Sequence, residues 1–116
     1  MPNAVIVMPT QADERPYIES QVTSPVKLVG VTQFPQYPVL LRSAGVSGEV
    51  LMQYVVDTTG RVERGSDRAL RTSHELFTLA IHELLPRFRF RPAELQGRKV
   101  RQVVQQEFTF SVERQQ

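Results

Sequence analysis

The sequence predicts an α+β domain, two helices packed on one face of a three-stranded antiparallel sheet, and three observations lead there. The stretch "GEVLMQYVVD" alternates, with Val50, Met52, Tyr54 and Val56 on one face of a strand and Leu51, Gln53 and Val55 on the other. Leu76, Phe77, Ala80, Ile81, Leu84 and Leu85 recur at helical spacing, opposite Glu75, Thr78 and His82. The last stretch, "VRQVVQQEFTFSV", alternates again, with Val104, Phe108, Phe110 and Val112 sharing one face and Val103, Gln105, Glu107, Thr109 and Ser111 the other. An apolar sheet face and apolar helix stripes bury one another when packed together, which gives two layers.

Taken in chain order, residues 1–24 hold three prolines and no sustained period, and read as a flexible N-terminal arm or tether, although "AVIVM" could add an edge strand. Residues 25–116 form the folded domain. Its first segment, "VKLVGVTQ", is β-branched and bounded by prolines, which predicts a brief, peripheral strand. Pro38 suits the first position of a two-turn helix over residues 38–44, closed by a left-handed Gly45 and by Val46. The first long strand then meets "DTTG", a four-residue hairpin turn with Gly60 in the left-handed position, and the returning strand starts at Arg61 and Val62. Thr72 and Glu75 are spaced as a capping box for the long helix. Pro86 ends that helix, "RFRFRP" turns Phe88 and Phe90 inward, and "ELQGRK" is the turn before the last strand.

A chain of 116 residues is one domain, able to bury roughly two-thirds of its unfolded surface. With no cysteine there is neither a disulfide framework nor a thiolate metal site. The net charge of +2 is unevenly spread: residues 1–60 carry three Lys/Arg against five Asp/Glu, and residues 61–101 carry ten against five. No apolar run reaches the length of a membrane span, and the N-terminus lacks the pattern of a signal peptide.

Catalytic chemistry finds little support. Ser66, Asp67, Ser73 and His74 are the residue types of a nucleophilic site, but their spacing shows no activating arrangement. His74 and His82 sit about 80° apart around a helix with no third ligand at a metal-like offset. Gly45 and Gly48 cap a helix and lead into a strand, the wrong order for a phosphate loop. No enzyme, metal or cofactor is expected. A basic patch of Arg87, Arg89, Arg91 and Arg101, with Arg98 and Lys99, raises an alternative function as a basic cell-envelope or nucleic-acid binding module. Phe88 and Phe90 read as core, however, so the exposed aromatics that nucleic acid would want are missing. The last strand carries a different signal. Residues 102–111 contain neither the lysine nor the proline that normally blunts a sheet edge, and such an edge accepts a peptide strand, the N-terminal arm or a second copy of the chain as a homodimer.

In order along the chain, "PQYP", "GEVLMQYVVDTTGRV", "FRFRPAELQGRKV" and "EFTFSV" resemble the C-terminal domain of the TonB energy-transducer family, over about residues 35–112. The resemblance implies a periplasmic domain anchored to the inner membrane in the full-length protein. It implies that the domain captures the TonB box, an extended segment of an outer-membrane transporter, on its last strand, here Val103, Val104, Gln105, Gln106, Glu107, Phe108, Thr109 and Phe110. The family's Gln-Tyr-Pro motif, matched by Gln36, Tyr37 and Pro38, would add contacts. A proton-driven inner-membrane motor would then pull through the paired strand for uptake of iron chelates or cobalamin, and the domain itself would do no covalent chemistry. The sequence departs from the family in having no membrane anchor or proline-rich spacer, so a fragment of a longer protein, or a domain put to another purpose as in membrane sensor proteases, is expected. It also departs in Pro86, which replaces a helix-continuing residue. TolA proteins end in a similar fold.

Overall fold

The computed structural model describes residues 15–29 and 34–112. The elements follow in the order β1 (Lys27–Leu28), α1 (Val39–Ser43), β2 (Gly48–Val56), β3 (Arg68–Thr72), α2 (Glu75–Leu84), β4 (Phe90–Arg91), β5 (Ala93–Leu95), β6 (Arg98–Val100) and β7 (Gln102–Phe110). Strands β3, β2 and β7 form an antiparallel sheet in that order, and β1–β4 and β5–β6 are separate two-stranded pairs. The expected α+β layering is present: α2 lies on one face of the sheet, and the short α1 contributes only Leu41 to the buried core.

Alternation on β2 is regular, with Val50, Met52, Tyr54 and Val56 all buried. Against them pack Phe77, Ile81, Leu84 and Leu85 from α2 and the turn after it, then Phe88, Phe90, Phe108 and Phe110. Rings do much of the filling: Phe77 stacks on Phe110 with centroids 4.3 Å apart, and Phe88 stacks on Phe108 at 6.4 Å. Tyr54 is wholly buried, and its hydroxyl donates to Gln106 Oε1 at 2.8 Å. Burial pushes that phenol above its usual range.

Four local expectations are corrected. The returning strand does not start at Arg61 and Val62: Val62 makes one isolated bridge to Val56, and the strand proper begins at Arg68. The reason lies in "ERGSD", where Ser66 Oγ donates to the Glu63 carbonyl and accepts from Val55 N–H, closing a local turn that holds the chain off the ladder. The capping box is also absent. His74 is the N-cap, its Nδ1 accepting from Leu76 N–H at 3.0 Å, while Thr72 is the last residue of β3 and bonds to His74 and Thr78. Pro38 is the N-cap of α1, one position earlier than expected, with ψ 129°, and its carbonyl still accepts from Arg42 N–H. Finally, "ELQGRK" is not all turn: Gln96 and Gly97, both at positive φ, form the tip of the β5–β6 hairpin.

Several expectations hold. Gly45 is left-handed at φ +72°, and the Val46 N–H to Leu41 carbonyl bond closes α1 as anticipated. Strand β1 is brief and pairs only with β4. The α-helix stops at Leu84, and Pro86 sits in a tight 3-10 turn over Leu85–Arg87. Phe88 and Phe90 point inward while Arg87, Arg89 and Arg91 are exposed. The edge-strand expectation for residues 4–8 lies outside the described residues.

The hairpin turn depends on Asp57. Its Oδ1 accepts from Thr59 N–H (2.8 Å), Thr59 Oγ1 (2.6 Å) and Arg61 N–H (3.0 Å). Burial would raise its pKa, but the Thr59 hydroxyl and the amides of Arg61, Thr59 and Gly60 outweigh it and hold the carboxyl below its ordinary value. A carboxyl lowered in the folded state contributes stability above its unfolded value and loses that contribution as pH falls through its folded value. Asp57→Ala is therefore expected to cost about 1–3 kcal/mol at neutral pH. Chemical denaturation at pH 7 and pH 3 should show the gap between wild type and variant narrowing in acid.

Candidate interaction site

The two outer edges of the sheet differ in kind. Strand β3 carries Arg68 and Arg71, and its register against β2 shifts at Leu70, because Arg71 faces Leu51 while Ala69 faces Met52. A bulge and arginines are the usual means of blunting an edge. Strand β7 has neither device. Its nine residues pair without a shift from Gly48↔Phe110 to Val56↔Gln102.

Which backbone groups of β7 remain for a partner follows from its pairing at the start. Tyr17 N–H donates to the Arg101 carbonyl (2.9 Å), and Val103 N–H donates to the Tyr17 carbonyl (2.7 Å). Arg101 and Val103 therefore point away from β2, and strict alternation sends the N–H and C=O of Gln105, Glu107 and Thr109 the same way. Gln102, Val104, Gln106, Phe108 and Phe110 turn theirs toward β2. A segment of chain thus already lies along the first part of this edge, running parallel to β7 at Gln102. Beyond it, the Glu19–Gln21 turn leads the chain away to Thr23 and Ser24, whose amides bond to the Glu94 carbonyl.

Side chains follow the same alternation. Phe108 and Phe110 belong to the core and Val104 packs against it, whereas Val103, Gln105, Glu107 and Thr109 face the open side of the sheet. There Gln105 Nε2 donates to Gln53 Oε1, and Arg71 pairs with Glu107 at 3.2 Å. Glu49 lies beside Glu107. The hydrogen bond and charge of Glu107 raise the Glu49 pKa, while the same bond and Arg71 keep Glu107 ionised to lower pH.

The Gln36-Tyr37-Pro38 segment is positioned by its tyrosine. The Tyr37 ring meets Phe77 and Phe110 edge-on, at 5.8 and 5.4 Å, and its hydroxyl donates to the Val46 carbonyl. Tyr37 is thus half core residue, holding α1 against α2. Gln36 is exposed and Pro38 half-buried, and beside them Phe34, Val39 and Leu40 are 80%, 69% and 74% exposed. Sequence reasoning passed over these three neighbours, although Val39 and Leu40 sit on the outer side of a helix of which only Leu41 is buried.

The basic series is divided. Arg101 is bound by Glu63 through Nε (2.5 Å) and Nη2 (2.9 Å), and Arg89 donates to the carbonyls of Pro86 and Phe88. Arg87 and Arg91 are exposed, Arg91 on β4 opposite Lys27. The candidate nucleophiles are likewise separated. Asp67 pairs with His82 at 2.6 Å and not with His74, while Ser66 and Ser73 serve the backbones of Val55 and Glu49. Among the described residues, no three His, Cys, Asp or Glu side chains cluster as metal ligands, and no helix is long and apolar enough to cross a membrane.

Comparison with known proteins bears on this arrangement. A search of curated proteins finds no match. Among solved structures, the C-terminal domain of Pseudomonas aeruginosa TonB, determined in solution by NMR, is similar in fold, with a TM-score of 0.65 and 21% identity over 80% of this chain and 92% of that one. The sequence profile of the Gram-negative bacterial TonB protein C-terminal matches residues 33–112, which include all three strands of the central sheet and both α-helices. The chain belongs to the TonB C-terminal family, whose members are periplasmic, non-enzymatic domains that interact with outer-membrane transporters.

Proposed function

We propose that this domain binds the TonB box of an outer-membrane transporter by strand addition to the free edge of β7, and that it transmits proton-motive energy for uptake of iron chelates or cobalamin. The observation that carries this reading is the contrast between the two edges: β3 is bulged and arginine-lined, while β7 offers the N–H and C=O groups of Gln105, Glu107 and Thr109 in a regular row. Two groups on each of three residues, at about 1 kcal/mol net apiece, make a modest and reversible grip. Pulling along such a strand loads its bonds together, and β7 passes the load to β2 through nine paired residues. In this reading Gln36, with Phe34, Val39 and Leu40, is a second contact surface, and Tyr37 serves it by anchoring the segment. The domain acts from the periplasm, as the end of an inner-membrane-anchored protein driven by a proton-powered motor. Residues 25–116 act as the binding unit, and the segment before them is held on it by the bonds of Tyr17 to β7 and of Thr23 and Ser24 to Glu94.

Titration of the 15N-labelled domain with a transporter TonB-box peptide tests this. The expected result is amide shifts at Gln105, Glu107 and Thr109 together with the segment around Gln36. Shifts confined to Arg87, Arg89 and Arg91 and abolished by salt would instead identify a basic envelope or nucleic-acid binding module. Glu107→Pro sharpens the test. Proline is tolerated where the N–H faces away from the ladder, so the variant is expected to keep its fold, with β2 still paired, and to lose peptide binding at least about tenfold.

A further inference from the structure

Beneath the β7 edge, on the core side of the sheet, lies a pocket of about 290 Å³ lined by Val26, Leu28, Tyr54, Phe90, Val104 and Gln106, with Glu19, Pro25 and other residues of β7 at its rim. It opens next to the stretch where the Tyr17 segment leaves the edge. Part of its polar surface is already engaged: Tyr54 Oη donates to Gln106 Oε1 (2.8 Å), and Gln102 Oε1 accepts from Val26 N–H (2.9 Å). What the pocket offers a visitor is a mixed surface, with Val26, Leu28, Phe90 and Val104 supplying its apolar part and Glu19 and the β7 glutamines its polar part. Its volume lies at or below the range of small-molecule sites, about 300–1,000 Å³, and suits a single side chain.

A strand added to β7 must point every second side chain to the core side, matching its neighbour across the ladder. With the Tyr17 segment opposite Gln102, the inward positions that follow lie opposite Val104 and Gln106, both of which line this pocket. The next lies opposite Phe108, which is buried and stacked by Phe88. We propose that the pocket receives one apolar side chain of the strand captured on β7 and so fixes the register in which the peptide binds. The inference rests on the strand-addition reading above, and gives it a sequence preference: a branched aliphatic or aromatic residue at one inward position, with little demand on the outward ones.

The test uses threonine heptapeptides, capped at both ends, in which leucine is scanned through the positions one at a time, titrated into the 15N-labelled chain. One position is expected to tighten binding by about tenfold or more over the all-threonine parent. Leu28→Glu, at a site 42% exposed on β1, places a charge at the mouth of the pocket without removing core. It is expected to abolish the leucine advantage while leaving the parent peptide unaffected, and Leu28→Met to retain that advantage. If the amides of Gln105, Glu107 and Thr109 respond to every peptide alike and Leu28→Glu changes nothing, the pocket proposal is overturned and strand addition stands. If no peptide moves those amides, both are overturned.

Discussion

Phe77→Ala is expected to cost about 3–5 kcal/mol, a large part of the roughly 5–15 kcal/mol by which a domain of this size is stable. Phe77 is fully buried on α2, stacked on Phe110 from β7 and met edge-on by Tyr37. Removing the ring takes a partner from the helix, the last strand and the Gln36-Tyr37-Pro38 segment together, and Gly48 beside it cannot fill the space. A Cβ at Gly48 would itself stand 2.6 Å from the Phe77 ring, so that backbone approaches because the glycine has no side chain. Urea denaturation should show the lost stability. NMR of the folded fraction should show shifts at Tyr37 and Gln36, because the segment loses one of the two rings that hold it.

Gly60→Ala is the second large effect, expected at about 3 kcal/mol or more and a fall in Tm of roughly 15 °C or more. Two separate physical terms act there. Gly60 has φ +89°, which L side chains rarely adopt, and an added Cβ would collide with the Phe90 carbonyl oxygen. The same carbonyl region is pinned in place, since Phe90 N–H donates to the Gly60 carbonyl at 2.8 Å. Gly45→Ala separates the two terms. Gly45 has φ +72° but open space around it, so its loss should approach the conformational term alone, about 1–2 kcal/mol. Equal effects at the two glycines would show that the packing against Phe90 does not matter.

The elements that could be read from the sequence are those with many residues repeating one period. Strand β2, helix α2 and strand β7 each carry several apolar residues at fixed spacing, and their faces came out as the alternation required. Gly45 and Gly60 were legible because a left-handed position has few alternatives to glycine. Short-range chemistry was harder. Thr72 and Glu75 have capping-box spacing, yet β3 needs Thr72 as a strand residue, and His74 capped the helix instead. No local pattern favours histidine there. The return strand was displaced from Arg61 to Arg68 by hydrogen bonds of Ser66 that depend on where Val55 lies in the folded sheet.

The site was partly legible for the same reason. That β7 is an edge without lysine or proline could be read from residues 102–111. Which of its backbone N–H and C=O groups point to the free edge could not, because that depends on the register with Tyr17 and β2. The packing of Tyr37 on Phe77 and Phe110, and the bond of its hydroxyl to the Val46 carbonyl, were likewise beyond any local pattern. The pocket under β7 draws on residues from Val26 to Gln106, a separation that no spacing rule spans.

Residue-resolved hydrogen exchange of the isolated domain, with and without a TonB-box peptide, tests the central claim most directly. The free domain should show an alternating pattern along β7, with Val104, Gln106 and Phe108 protected by β2 and Gln105, Glu107 and Thr109 exchanging fast. On peptide addition the three fast amides should become protected while the others change little. Binding that leaves Gln105, Glu107 and Thr109 in fast exchange would contradict strand addition on this edge.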